Sequence, residues 1–260
     1  MLQHKEIAKQ LYEAEKTCVQ IQAPLTVTYP DMTLGDAYQI QLETADMRRE
    51  EGKKLIGMKI GLTSRAMQEL LGVDEPDYGH LFDDMLYLEE EPCSLKTLCQ
   101  PRIEGELTFC LNKSLKGPGV TEEDVLAATE YVVPSIEIVD SRIKDWKIKL
   151  LDTVADNGSS AGIVLGKNKV PVHLVDMKEC EMVLEKNGAF VNAGKTVEVY
   201  GSPAKAVAWL VNTLSEYGIE LPAGSLVMSG ALTAAQFAEP GDVFTARFAG
   251  IGDVTVTFTQ

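Results

Sequence analysis

Two glutamates stand two residues apart in the segment Arg102-Ile103-Glu104-Gly105-Glu106-Leu107. In a strand, positions i and i+2 share a face, so both carboxylates project toward one place. Like charges held that close repel unless a cation or a proton lies between them. Ile103, Leu107 and Phe109 make the opposite face apolar, which raises the cost of leaving the pair uncompensated. A second apolar run, Val132-Val133-Pro134-Ser135-Ile136-Glu137-Ile138-Val139-Asp140, carries Glu137 amid isoleucine and valine. Three carboxylates with positions left open for water suit a hard six-coordinate ion such as Mg²⁺ or Mn²⁺. His4, His80 and His173 are far apart and no Cys-x-x-Cys pair occurs, so nothing points to zinc. A Glu-x-Glu pair is also common on solvated strand faces, where it binds nothing.

Lys59 interrupts the apolar run Leu55-Ile56-Gly57-Met58-Lys59-Ile60-Gly61-Leu62. Such a lysine either snorkels from a sheet edge or, when partly buried, titrates nearer neutrality and moves protons. Gly52, Gly57 and Gly61 would let a ligand approach it closely.

The elements that must position these groups divide along the chain. Thr33 and Asp36 resemble a capping box, followed by Ala37, Ile40, Thr44 and Met47 at helical spacing. Arg48, Arg49, Glu50 and Glu51 fall on or near the wet side, and Gly52 ends the run. Ser64 caps a short helix carrying Ala66, Met67, Leu70 and Leu71 before Gly72. From about residue 100 the pattern turns to strands, at 103–111 and 132–139, with a helix starting at Thr121 between them. Residues 182–191 read as a hairpin around Asn187-Gly188, because both residues tolerate positive φ. Ser202-Pro203 opens a helix that Gly218 closes, and strands at 243–248 and 254–258 follow. The expected architecture is α+β: a helical N-terminal region over residues 1–75 and a β-rich, mixed-sheet catalytic body over residues 76–260.

The chain has 260 residues, 45% of them hydrophobic, which is enough for one substantial core. Its formal net charge of −15 argues against nucleic acid and anionic membrane as partners. The same charge repels a small acid, so a site for one needs its own local positive charge. No apolar run is long enough to span a bilayer and the first residues do not read as a signal peptide. Cys18, Cys93, Cys99, Cys110 and Cys180 are scattered, as expected of idle thiols in a reducing cytoplasm.

Several segments carry a family resemblance. They are Gly57-Met58-Lys59-Ile60-Gly61-Leu62-Thr63-Ser64, Pro76-Asp77-Tyr78-Gly79, Ile103-Glu104-Gly105-Glu106 and Pro134-Ser135-Ile136-Glu137-Ile138-Val139-Asp140-Ser141-Arg142. Then come Asp152-Thr153-Val154-Ala155-Asp156-Asn157-Gly158-Ser159-Ser160, Leu184-Glu185-Lys186-Asn187-Gly188 and Ser229-Gly230-Ala231-Leu232-Thr233. In this order, over nearly the whole chain, they resemble the 2-hydroxypenta-2,4-dienoate (2-keto-4-pentenoate) hydratases and the sister 4-oxalocrotonate decarboxylases, within the fumarylacetoacetate hydrolase superfamily.

The resemblance implies a fold of fumarylacetoacetase type, with mixed sheets rolled around the site. It implies Glu104, Glu106 and Glu137 as ligands of Mg²⁺ or Mn²⁺, with Asp140 paired to Arg142 instead. Lys59 matches the active-site lysine. Asp77 matches an aspartate of the hydratases, where the decarboxylases tend to have an apolar residue. Ser160 and Thr233 match substrate contacts, and Leu62 a backbone or packing contact. The implied activity is hydration of 2-hydroxypenta-2,4-dienoate, or a related 2-oxo-alkenoate, to a 4-hydroxy-2-oxo acid in catechol meta-cleavage type aromatic degradation. The alternative is decarboxylation of a 2-oxo-3-enedioate, and Arg102 could meet the second carboxylate of such a substrate. A cytoplasmic homo-oligomer, associated with other enzymes of the same pathway, is the implied setting. Two rivals stand beside it: a non-catalytic metal-stabilised protein, and C–C bond hydrolysis with His80 as the only nearby candidate base.

Overall fold

The computed structural model describes residues 2–65, 68–69 and 73–260. Three helices come first: α1 (His4–Thr17), α2 (Leu25–Thr28) and α3 (Leu34–Glu50). The capping box that starts α3 is formed: Asp36 N donates to Thr33 Oγ1, and Thr33 N donates back to Asp36 Oδ2. Ala37, Ile40 and Thr44 are buried, as their spacing requires, and Gly52 takes the positive φ of a helix stop. Arg48 departs from expectation. It is 5% exposed rather than on the wet side. Its guanidinium pairs with Glu15 and Asp84 and lies over the rings of Tyr12 and Phe82, so charge and stacking together offset its burial. Arg65, Gln68 and Glu69 are helical. Ala66, Met67, Leu70, Leu71 and Gly72, expected in the same helix, lie outside the described residues.

The strands are β1 (Leu55–Gly61), β2 (Asp77–Phe82), β3 (Leu86–Tyr87), β4 (Cys93–Ser94), β5 (Arg102–Leu111), β6 (Thr129–Val139), β7 (Ser160–Leu165), β8 (Val170–Pro171), β9 (Glu181–Lys186), β10 (Ala189–Lys195), β11 (Leu226–Met228), β12 (Gln236–Phe237), β13 (Val243–Phe248) and β14 (Gly252–Thr259). Among the described residues, the larger sheet runs β2-β1-β11-β5-β6-β7-β3, with β12 on β5 and β8 on β6. It is mixed: β1 is parallel to β11 and β3 to β7, while the other pairs are antiparallel. The smaller sheet runs β10-β9-β13-β14-β4. Its β9–β10 hairpin turns on Asn187 (φ 54°) and Gly188 (φ 77°), the left-handed conformation that this dipeptide tolerates.

The two sheets meet behind the acidic strand. A Cβ on Gly105 would lie 2.9 Å from Met182 Cε and 3.3 Å from Ala246 Cβ, so the residue between the two glutamates must be small for β9 and β13 to pack. Ile103, Leu107 and Phe109 share that face and are fully buried. No helix among the described residues is long and apolar enough to cross a membrane.

Candidate active site

Four strands of the larger sheet supply the charged groups. Glu104 and Glu106 leave one face of β5, and antiparallel pairing sets Glu137 of β6 directly opposite Glu104. A carboxylate oxygen from each of the three lies within 4.8 Å of the others. Lys59 comes from β1, where it pairs with Gly79 of β2 and Met228 of β11. Its ammonium lies 3.6 Å from Glu137 Oε1. Asp77, the first residue of β2, sits opposite Gly61. A Cβ on Gly61 would lie 2.2 Å from Asp77 Oδ1 and 3.0 Å from Lys59 Nζ, so that glycine makes room for acid and lysine together. Gly57 does something else. A Cβ there would strike the backbone of Leu226 at 1.9 Å, so the glycine permits the β1–β11 contact. Gly52 has open space around it and ends a helix. Of the three glycines expected to admit a ligand, only Gly61 borders the charged groups.

Two irregular segments complete the surroundings. Asn157, Gly158 and Ser159 all have positive φ (56°, 60° and 56°). The Asn157 amide is fixed to β2, accepting from His80 N at 2.7 Å and donating to His80 O at 2.9 Å. That brings Gly158 beneath Lys59, where a Cβ would come within 2.7 Å of Lys59 Cε. Sequence pattern alone did not reveal this cradle, although Asn-Gly is the residue pair most tolerant of such a path. After β11, Ser229 Oγ donates to Leu107 O and Leu232 N donates to Gly105 O. The pinned segment aims Gly230 N–H at Glu106 Oε2, 2.8 Å away, and delivers Thr233 next to β5.

Arg142 anchors the Asn157 turn, and here the expected pairing fails. Its Nε and backbone N donate to the two carboxylate oxygens of Asp156, at 2.5 and 2.9 Å, and its guanidinium reaches the carbonyls of Asp140 and Ser160. The Asp140 carboxylate is occupied by the backbone N–H groups of Cys99 and Gln100 instead. His80 lies on the opposite side of β2 from Asp77 and Gly79 by strand alternation. The charges acting on it are Arg49 and Asp46 of α3, which weakens its candidacy as a base at the acidic cluster.

The electrostatics of the cluster are those of like charges held together away from water. Burial and the Glu137 charge push Glu104 up to about 7 and Glu106 well above the carboxylate range. Burial also raises Asp77, with Lys59 opposing. For Lys59, burial favours loss of the proton, but Glu137, Asp77, Glu104 and Glu106 together outweigh it, so the group is a firm cation rather than one titrating near neutrality. Among buried side-chain atoms without a hydrogen-bond partner are Glu106 Oε1, both Glu137 oxygens, Asp77 Oδ1, Ser160 Oγ and Thr233 Oγ1. Natural proteins rarely leave such atoms unmatched, and a hard divalent cation fits three converging carboxylates with free lone pairs. Leu62, just past β1, has a φ of 54° and its carbonyl accepts from Gln68 Nε2.

Comparison with known proteins adds four findings. The fumarylacetoacetate (FAA) hydrolase C-terminal family matches residues 65–259. The chain is 47% identical over 254 residues to the 2-hydroxyhexa-2,4-dienoate hydratase of Comamonas testosteroni, covering 97% of this chain and 96% of that one. It is 44% identical over 256 residues to the 2-keto-4-pentenoate hydratase of Paraburkholderia xenovorans, covering 98% and 95%. The structure of 4-oxalocrotonate decarboxylase from Pseudomonas putida G7, complexed with magnesium and adipate, superposes with a TM-score of 0.95 at 37% identity, covering 98% of this chain and 97% of the other.

Proposed function

The chain belongs to the fumarylacetoacetate hydrolase superfamily, in the group of 2-keto-4-pentenoate hydratases and 4-oxalocrotonate decarboxylases, and from that premise we propose that it is a metal-dependent hydratase of 2-hydroxypenta-2,4-dienoate or a related 2-oxo-alkenoate. Glu104, Glu106 and Glu137 would hold Mg²⁺ or Mn²⁺, which when bound supplies Lewis acidity toward the 2-oxo group. Ser160 and Thr233, whose hydroxyls are buried without partners, would hold the substrate carboxylate. Leu62 would line the substrate with its backbone.

Hydration requires the dienol to gain a proton at C5 and lose its enol O–H proton, then the hydroxyl of water to bond C4 as water gives up its other proton and C3 gains one, which yields 4-hydroxy-2-oxopentanoate. Lys59 is charged and has Asp77 beside it. It would offset the charge of the anionic substrate. Asp77 would orient the water and accept its proton.

The observation that carries the hydratase reading is Asp77 itself, a buried carboxylate with an unmatched oxygen beside a lysine. Decarboxylation has less use for a group that activates water. A second reading, decarboxylation of a 2-oxo-3-enedioate, is favoured by one feature, the Arg102 guanidinium, whose buried Nε has no hydrogen-bond acceptor. The test is to supply 2-hydroxypenta-2,4-dienoate and 2-oxohex-3-enedioate with Mg²⁺ or Mn²⁺ and identify products by mass. Gain of water supports the hydratase, and loss of carbon dioxide without it supports the decarboxylase. No turnover of either overturns both.

A further inference from the structure

Cys18 and Cys99 are distant in the chain and close in the fold. Cys18 caps the C-terminal end of α1 with a φ of 54°, and α1 packs on the turn Leu95–Thr97. The Cys18 thiol lies 3.4 Å from Lys96 O and the Cys99 thiol 4.0 Å from Ala14 O, so each sulfur is seated on the other's segment. The two thiols also hydrogen-bond to each other, and both are half-buried. The remaining cysteines have no thiol neighbour among the described residues. Cys93 meets the Tyr87 hydroxyl, Cys110 that of Tyr131, and Cys180 the carbonyls of Glu181 and Ala249.

The pair joins a firm backbone to a yielding one. Cys99 N and Gln100 N donate to the Asp140 carboxylate at 2.6 and 2.5 Å, and Gln100 O accepts from Trp146 Nε1 at 2.9 Å. Cys18, by contrast, ends a helix and is followed by the exposed Val19. Helix ends fray, which gives its sulfur the freedom to close on a fixed partner. Burial, then the Asp140 charge, raises both thiols, Cys99 to about 12. At Cys18 the hydrogen bond with Cys99 opposes that rise, so Cys18 is the readier of the two to ionise.

We propose that Cys18 and Cys99 form a reversible disulfide when the protein meets a peroxide, stapling the end of α1 to the segment that enters β5. The Cys18 thiolate attacks one oxygen of hydrogen peroxide and the O–O bond breaks. The departing hydroxide takes up the proton that Cys18 gave, leaving water and a sulfenic acid. The Cys99 sulfur then bonds to the Cys18 sulfur, its S–H proton joins the departing hydroxide, and a second water leaves. Two thiols are oxidised and one peroxide is reduced. The link closes a long loop, which restricts the unfolded chain and stabilises the fold. It uses neither the acidic cluster nor Asp77, so it stands or falls apart from the proposed function.

Hydrogen peroxide added to the purified protein tests it, with free thiols counted by alkylation and intact mass. The expected count falls from five cysteines to three, and peptide mapping finds Cys18 joined to Cys99 with the loss of two hydrogens. Dithiothreitol restores all five. The thermal midpoint of the oxidised protein lies several degrees above that of the reduced one. In Cys18→Ser no link forms and peroxide does not raise the midpoint. Cys99→Ser behaves alike, since its backbone bond to Asp140 needs no thiol, and either variant serves if the other does not fold. Five free thiols after peroxide, a sulfinic acid in place of the link, or a link through another pair overturns the pairing. A Cys18–Cys99 link that leaves the midpoint unchanged overturns its role as a staple.

Discussion

Glu104 and Glu137 face each other directly across the β5–β6 pair, two carboxylates at a register position where like charges destabilise a sheet. Glu106, fully buried on the same face, adds a third. In the absence of a cation the arrangement works against folding, so neutralising one member does not lower stability, whereas a cation held as proposed needs all three. Glu104→Gln is expected to abolish the rise in thermal midpoint that Mg²⁺ or Mn²⁺ produces, while the midpoint without metal stays equal or increases. Thermal scans of both proteins with chelator and with metal check this. A metal-free midpoint that drops by several degrees would show that Glu104 serves the fold.

Protonation competes with the cation. Glu104 is pushed up to about 7 and Glu106 well above the usual carboxylate range, because burial and the neighbouring Glu137 charge favour their neutral forms. A metal that needs carboxylates must displace those protons. Affinity for Mg²⁺ should therefore fall as pH drops from 8 to 6, by about tenfold per pH unit for each proton displaced. Calorimetry in two buffers of different ionisation enthalpy counts the protons released. A proton count of zero, with affinity flat across that range, would contradict the linkage.

In the proposed reaction Asp77 acts on water and does not bind the cation. Asp77→Asn preserves shape and removes the charge. Hydration is expected to fall by about a hundredfold or more, the usual contribution of a positioned base, with the metal-dependent change in midpoint retained. Product assay and thermal scans on the same samples separate the two effects. Undiminished turnover would remove Asp77 from the chemistry.

Much of this is legible from residue types and local spacing. The i, i+2 pair on β5, the Asn187-Gly188 turn and the Thr33–Asp36 cap depend only on neighbours in the chain, and each forms as its residues require. What distance along the chain decides is harder. That Glu137 lies opposite Glu104, rather than one step along, is a matter of register between strands separated by a helix and its loops. Proximity in sequence pairs Arg142 with the acid two residues away, but the turn at Asn157 folds Asp156 back onto it from fourteen residues on. Arg48 reads as a surface residue because helical periodicity knows nothing of the carboxylates that α1 and the Asp83–Met85 turn bring to it.

The Arg142–Asp156 pair is a structural support with a measurable weight. Both side chains are almost wholly buried, and burial raises Asp156 to about 7 against the pull of Arg142. Asp156→Ala would leave the guanidinium with carbonyl acceptors but no counter-charge. Removing one member of a buried ion pair typically destabilises by about 3–5 kcal/mol, and urea denaturation should return a value of that order. Because Asp156 also leads into the turn under Lys59, activity should fall in the fraction that remains folded. A loss below about 1 kcal/mol would mean that water or rearrangement replaces the pair.

His80 contributes a pH dependence of opposite sign to the acids. It is 3% exposed, and burial first, then Arg49, lowers it from 6.5 to about 4. The folded protein therefore keeps this imidazole neutral where the unfolded chain would protonate it. Between pH 6.5 and 4 the unfolded state binds more protons at this position, so its contribution to stability is complete above 6.5 and is lost progressively as pH falls toward 4. The full interval corresponds to about 3 kcal/mol, and by pH 5 roughly 2 kcal/mol of it is gone. Glu104 and Glu106, raised in the fold, push the other way over the same range, so the wild-type curve alone does not isolate the histidine. The difference between wild type and His80→Gln does, since the acids cancel. Urea midpoints at pH 7.5, 6.5, 5.5 and 5.0 should show the variant losing less stability on acidification than the parent. Parallel curves would place the His80 titration at an ordinary value and its ring in contact with water.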